Sequence, residues 1–350
     1  MHGKVFIHAT NTHQGGGRFL LAALLKALAG SPGAVALLDS RMPLDEEVER
    51  EIEVRRIRPS VMARFGAERW LVNEVSKRDT VLCFGNLPPL FRLRGCVVVF
   101  VQNRYLIDDI HLGGLPLWVQ LRLVLERGWL SVRMSNANMF VVQTPTMKSL
   151  LEKKVQGRVP VRILPFVAEP NGYAHGAPQM KKPRENEHDF IYVASGEPHK
   201  NHRRLIQAWC LLAAEGLFPS LCLTLNAIRF ADLCDEIETQ RQRHGLRVRN
   251  AGELPHQNVL SLYKKAGAAI YPSTFESFGL PLIEARQAGL HILASELDYV
   301  RDVINPEQTF DPNSAVSIAR AVKRFMAVDE TALPLLDAKE FLNKVAGKEG

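Results

Sequence analysis

A chain of 350 residues, 46% of them hydrophobic, is long enough for two domains with buried cores and lacks the bias of a disordered or fibrous sequence. Its net charge of +7 is uneven: residues 1–165 hold 23 Lys and Arg against 14 Asp and Glu, the remainder 21 against 23. No zinc-finger, helix-turn-helix or aromatic-rich RNA motif accompanies the basic half, which argues against nucleic acid and leaves an anionic membrane surface or an acidic, lipid-linked acceptor as its counterpart.

The chain enters Lys4-Val5-Phe6-Ile7-His8 directly, apolar and strand-like, with no leader pattern before it. Further short apolar runs follow at 35–38, 81–84, 97–101, 139–143 and 161–164, separated mostly by amphipathic stretches, as in a parallel sheet covered by helices. After the first run, Gly15-Gly16-Gly17-Arg18-Phe19 opens a helix at 19–28. Glycines there let backbone approach a ligand and leave helix N–H groups free, although the dinucleotide pattern Gly-x-Gly-x-x-Gly is absent. The run Arg55-Arg56-Ile57-Arg58, with Arg64, reads as a solvated helix face that adds positive surface. Strand 97–101 ends in Gln102-Asn103-Arg104-Tyr105, a polar cluster at the strand end where open α/β sheets bind substrates. Residues 118–134 combine Trp118, Leu121, Leu125, Trp129 and Leu130 with Arg122, Arg127 and Arg133. Burial of an apolar helix face is the ordinary expectation for them, and contact with a membrane or lipid-linked acceptor is the alternative.

A Pro-, Gly- and charge-rich stretch from Glu169 to Glu187 reads as a linker. Beyond it the alternation resumes, with runs at 190–194, 221–225, 247–250, 268–271 and 291–294. The expected fold is therefore α/β, two parallel-sheet domains facing each other across a cleft. Five cysteines, Cys83, Cys96, Cys210, Cys222 and Cys234, follow no pairwise motif and read as free thiols in a reducing cytosol. No apolar run is long enough to span a bilayer, so the expected location is cytoplasmic, or peripheral at the inner face of a membrane.

The most informative segment is Pro272-Ser273-Thr274-Phe275-Glu276-Ser277-Phe278-Gly279-Leu280-Pro281-Leu282-Ile283-Glu284-Ala285. It leaves an apolar strand, sets Glu276 in a turn, places Gly279 before a helix with Pro281 near its start, and puts Glu284 in what reads as the helix's first turn. The free N–H groups and positive dipole end of such a helix suit a diphosphate, while acceptor-only carboxylates beside it suit hydroxyls. Nucleotide sugars present both. Upstream, Pro198-His199-Lys200-Asn201-His202 sets an ammonium between a strand at 190–194 and a helix at 201–215, where it can offset charge on a departing diphosphate. His199 and His202 are too few for a metal site, and there is no Asp-x-Asp, His-Glu-x-x-His or zinc-spaced cysteine pair.

Glu276 and Glu284 around Phe-Gly-Leu-Pro, Ala288-Gly289 with His291-Ile292-Leu293-Ala294-Ser295, and the Lys200-Asn201 loop together resemble glycosyltransferase family 4, the group 1 retaining glycosyltransferases of the GT-B fold. The resemblance implies twin Rossmann-like domains: residues 1–168 binding acceptor, a linker at 169–188, residues 189–328 binding the nucleotide sugar, and residues 329–350 with a helix at 335–346 that packs back on the first domain. It implies that Lys200 steadies the leaving diphosphate and Glu276 contacts the donor sugar. The backbone at Phe278, Gly279 and Leu280 would bind sugar and phosphate, Glu284 the ribose, and Gly252 and Glu253 would flank the base. Gly16 and Gly17 would line the diphosphate or acceptor from the first domain, and Gln102, Asn103 or Arg104 would face the sugar where many members have histidine. The donor would be a UDP-, GDP- or ADP-sugar, with no metal or separate cofactor, and the acceptor a saccharide or lipid-linked glycan of the bacterial envelope. The chain departs from the pattern at Ala194-Ser195, where the family usually has Gly-Arg. Ser195 carries no charge, and His199, Arg203 or a shifted loop would have to replace the missing arginine. A catalytically silent nucleotide- or glycan-binding protein, or a nucleotide-sugar epimerase, are the competing readings.

Overall fold

The computed structural model describes residues 3–109, 112, 115–168 and 187–328. The first half forms a seven-stranded sheet in the order β3-β2-β1-β4-β5-β6-β7, every neighbouring pair parallel. Its strands are β1 Val5–Ala9, β2 Ala34–Asp39, β3 Glu53–Ile57, β4 Thr80–Cys83, β5 Cys96–Phe100, β6 Met139–Val142 and β7 Val161–Ile163. Helices α1 Gly15–Leu28, α2 Glu46–Glu51, α3 Val61–Glu74, α4 Leu117–Arg133 and α5 Pro145–Val155 make the crossovers. Both faces of the sheet are covered, so its strands are apolar almost throughout, and alternation splits them between two cores. Phe6, Leu37, Val81 and Val99 join one core, while Ile7, Ala9, Ala36 and Leu38 join the other.

The second half forms a six-stranded parallel sheet in the order β10-β9-β8-β11-β12-β13. It is built from β8 His188–Tyr192, β9 Leu221–Leu223, β10 Val248–Asn250, β11 Ala266–Tyr271, β12 His291–Ser295 and β13 Gln308–Phe310. Its helices are α6 His202–Ala214, α7 Ala231–His244, α8 His256–Tyr263, α9 Leu280–Gln287, α10 Asp298–Arg301 and α11 Ala315–Phe325. Phe190, Trp209, Tyr192 and Ile270 are fully buried at the centre of its core.

Four expectations need correction. Arg55 and Arg56 lie on edge strand β3, not on a helix; Arg55 stacks over Trp70, and Arg56 pairs with Glu49 at 3.0 Å. Glu284 sits one turn into α9, because that helix begins at Leu280. Trp118, Leu121 and Leu125 are exposed, and only Leu130 of the five apolar residues named on α4 is fully buried. The cysteines need no correction: all five are free thiols, Cys83 and Cys222 buried and Cys96 exposed. His188, assigned to the linker, already begins β8. The rest of that linker through residue 186 and the helix at 335–346 lie outside the described residues. Among the described residues no helix is long and apolar enough to cross a membrane.

Candidate functional site

In each sheet the order reverses beside the first strand, between β1 and β4 and between β8 and β11. Chains leaving two such strands turn in opposite directions and open a crevice at the carboxyl ends. The loops after β1, β8 and β11 wall a cavity of ≈ 420 Å³ between the two domains. A second cavity of ≈ 310 Å³ shares Gly17, Gln102, Glu276 and Ser277 with it.

The loop after β1 becomes α1 at Gly15, four residues earlier than the apolar pattern indicates, so Gly15, Gly16 and Gly17 are the helix's first turn. Gly15 takes φ +65°, which glycine adopts without strain. A Cβ on Gly16 would lie 3.5 Å from Leu280 of α9, so the starts of the two helices nearly touch across the cleft. Phe19 meets His256 of α8 with ring centroids 4.9 Å apart. At the start of α9, Gly279 has φ +70°, and Pro281 needs no donor partner in the first turn. The free N–H ends of α1 and α9 therefore both open into one cavity.

Three donors converge on Glu276 Oε1: Lys200 Nζ at 2.5 Å, Ser273 Oγ at 2.8 Å and Tyr271 OH at 3.0 Å. Lys200 and Glu276 are both largely buried, so water screens this pair weakly. The loop carrying Lys200 is fixed by Asn201, which takes φ +63° and donates its amide to the carbonyls of Pro272 and Pro312, at 3.1 and 2.7 Å. His199 O accepts from Thr274 N at 2.9 Å and Ser273 Oγ at 3.1 Å, locking this loop to the one bearing Glu276. Burial, then the neighbouring Lys200, hold the His199 imidazole below its usual pKa, and its Nδ1 lies 3.2 Å from Tyr105 OH. His202 turns the other way, into the core against Tyr192, where burial lowers its pKa to about 3. The two histidines do not share a site. Among the described residues no three His, Cys, Asp or Glu side chains gather as metal ligands.

Glu284 lies on the cavity wall, and burial raises its carboxyl to about 7. His256 Nδ1 is 3.8 Å from it. Ser195 and Glu253 also line this cavity; Gly252 does not, and instead turns at φ +78° with its N–H on Asn250 Oδ1, presenting Glu253. Asn103, Arg104 and His199 line the second cavity, and Gln102 lines both. Asn86 at φ +70° aligns this cluster, its Oδ1 accepting from the N–H groups of Gln102 and Asn103 at 2.6 and 2.9 Å.

Of the suggested replacements for an arginine at 195, Arg203 pairs with Glu236 of α7 at 2.7 Å and is absent from both cavity walls. The guanidinium that does line the larger cavity is Arg229, which sequence reasoning missed. It follows β9 in a turn shaped by Asn226, whose Oδ1 accepts from Arg229 N at 2.9 Å and whose amide holds Glu253 at 2.6 Å. Glu197 links it to the expected position, pairing with Arg229 at 3.1 Å and accepting from Ser195 Oγ. The available signal was positional: β9 is parallel to β8, so the loops after both strands open at the same end of the sheet.

The domains also touch directly. Arg104 lies over the Phe275 ring, its Cζ 4.5 Å from the centroid, and donates to Glu276 O at 3.4 Å. Thr146 N donates to Asp302 Oδ2 at 3.0 Å.

Residues 177–335 match the family model for group 1 glycosyl transferases. The chain is 31% identical over 162 residues to O-antigen chain mannosyltransferase B of Escherichia coli, spanning 43% of this chain and 41% of that protein. It is 26% identical over 142 residues to O-antigen chain mannosyltransferase RfbU of Salmonella typhimurium, spanning 40% and 39%. The chain thus matches well under half the length of these relatives. In fold it resembles HepE of Anabaena, crystallised with UDP-glucose, at TM-score 0.66 and 15% identity over 93% of this chain and 90% of the other. An α,α-trehalose-phosphate synthase (UDP-forming) of Burkholderia vietnamiensis aligns at TM-score 0.64 and 10% identity, over 94% and 90%. Residues 177–335 thus resemble the group 1 glycosyl transferases, in a chain whose two parallel-sheet domains have the GT-B fold.

Proposed function

We propose that this protein moves a sugar from a nucleoside diphosphate to a saccharide or lipid-linked acceptor in polysaccharide synthesis, with retention at the anomeric carbon. The carrying observation is the convergence of two helix N-termini, Lys200 and Arg229 on one cavity walled also by Glu276 and Glu284. A diphosphate lies between the helix starts and is neutralised by Lys200 and Arg229. Glu284 accepts from the ribose hydroxyls and Glu276 from a sugar hydroxyl, with the N–H groups of Phe278 to Leu280 on sugar and phosphate. The second cavity, with Gln102, Asn103 and Arg104, takes the acceptor.

The acceptor hydroxyl attacks from the face the diphosphate leaves: a new C–O bond forms as the bond to phosphate breaks, and the hydroxyl proton passes to a phosphate oxygen. No protein base is needed for this step, and the second cavity, lined by Gln102, Asn103 and Arg104 beside His199 and Glu276, serves to hold the acceptor. No protein-bound metal has a part in this reading. The kinship with O-antigen mannosyltransferases and the UDP-bound neighbours supports a nucleotide sugar without selecting its base.

A panel of UDP-, GDP- and ADP-sugars tests the reading by thermal shift and by donor hydrolysis. At least one donor raises Tm and is turned over, with turnover falling on the order of a hundredfold or more in Lys200→Ala. Absence of binding to any donor sinks the proposal; binding without turnover, unchanged in Lys200→Ala, makes the protein a silent binder.

A further inference from the structure

Helix α4 has two unlike faces. On one, Leu123 and Leu130 are buried and Arg127 donates to the carbonyls of Tyr105 and Asp108 at 2.8 and 2.9 Å, while half-buried Trp129, on the side of Leu125, donates its Nε1 to Pro88 O at 2.9 Å. The other presents Leu117, Trp118, Leu121, Leu125 and Val132 to solvent, with Leu117 82% and Trp118 67% exposed. Positions 118, 121, 125 and 132 fall on one stripe of a 3.6-residue helix.

Helix α3 also carries exposed apolar side chains. Val61 and Met62 in its first turn are 84% and 79% exposed, and Phe65 packs edge-on against Phe91 at 5.5 Å. The segment after β4 ties the two helices together: Leu90 N reaches Glu68 of α3, while Trp129 of α4 and Asn136 in the turn after it bond to the carbonyls of Pro88 and Pro89. Single exposed apolar side chains are ordinary, but a run of them across two linked helices is a surface that water pays to wet. Exposed arginines accompany it, Arg58 before α3, Arg92 beside Phe91, and Arg122 and Arg133 on α4. The Arg122 guanidinium lies 5.9 Å from the centre of the Trp118 ring.

We propose that this face of the first domain docks on an anionic lipid surface, with Met62, Trp118, Leu121 and Leu125 entering the boundary between headgroups and acyl chains and the arginines meeting lipid phosphates. Charge selects the occupant. A two-fold pairing with a second copy would set the same arginines against one another, whereas an acidic bilayer accepts the apolar stripe and the cations together. The first half of the chain carries the excess of positive charge, 23 basic against 14 acidic residues over 1–165, that such a surface attracts. The inference stands apart from sugar transfer, since these helices present a face that does not line either cavity of the cleft.

Co-sedimentation of the full chain with vesicles of phosphatidylcholine alone, and of phosphatidylcholine mixed with phosphatidylglycerol, tests it. The protein pellets with the acidic vesicles. Partitioning falls on the order of tenfold when Trp118→Ser, Leu121→Ser and Leu125→Ser are combined, and it weakens with added salt and in Arg122→Ser/Arg133→Ser. Thermal unfolding of both variants stays that of the parent, because the replaced side chains are exposed. Failure to pellet with acidic vesicles, equal pelleting with neutral ones, or binding unchanged in both variants overturns the proposal. So does a dimer, seen by size exclusion and dissolved by the triple variant, in a protein that ignores vesicles. Vesicle binding in a protein that turns over no donor leaves the docking surface standing and removes only the sugar-transfer reading.

Discussion

Lys200 and Arg229 each rest against a carboxylate, Glu276 and Glu197. In the proposed donor complex a diphosphate would exchange these partners for phosphate oxygens and free Glu276 for a sugar hydroxyl. Removing Lys200 strips the buried cation, so Lys200→Ala lowers kcat by on the order of a hundredfold or more. Arg229 is 62% exposed and solvent screens it, so Arg229→Ala raises donor KM roughly tenfold with a smaller change in kcat. An equal loss of kcat in both variants would contradict this division. Glu284 gives a pH signature. Burial raises its carboxyl to about 7, so the free protein holds it mostly protonated below that value and ionised above it. Ribose hydroxyls donate to the ionised form, so donor Kd falls by roughly tenfold between pH 6 and 8, following the ionised fraction. Calorimetry should show Glu284→Gln binding more weakly at pH 8 and losing that part of the slope.

The second-domain site was legible because its residues cluster in one segment between a strand and a capped helix. Gly279 shows why the turn-to-helix geometry could be read: a left-handed residue joins the Glu276 turn to α9, and a Cβ there would lie 3.1 Å from Leu282 Cδ1. Gly279→Ala therefore costs about 1–2 kcal/mol, read as a lower Tm, and weakens donor binding by tilting the helix start. Elsewhere local pattern was a poor guide. Strand β3, Glu-Val-Arg-Arg-Ile, sits at a sheet edge with its arginines in ion pairs, so it lacks the apolar run of a central strand. Strand β13 has only three residues, Gln308–Phe310, at the opposite sheet's edge. Arg229 and Asn86 act from loops whose partners are distant in sequence, a relation no window of residues displays. Exposure of α4 was also hidden, since an amphipathic pattern states that two faces differ and not which one the protein covers.

At the scale of the molecule, two switch-point crevices are brought mouth to mouth. Arg104 and Tyr105 reach from one domain to Phe275, Glu276 and His199 of the other. Arg104→Ala removes this clasp while leaving the second domain's donor contacts in place, so kcat/KM for the acceptor falls about tenfold and donor Kd moves less than threefold. A larger effect on donor than on acceptor would assign Arg104 to donor binding instead. The near contact of Gly16 with Leu280, reinforced by Phe19 against His256, carries a kinetic consequence. In the proposed donor complex the helix starts that hold the diphosphate also close over it, so the spent nucleotide would leave only when the domains part. On that reading, opening would be a slow, solvent-damped motion in the catalytic cycle. Turnover at saturating substrate should fall in proportion to solvent viscosity with added glycerol, and trimming Phe19 to alanine should remove much of that dependence.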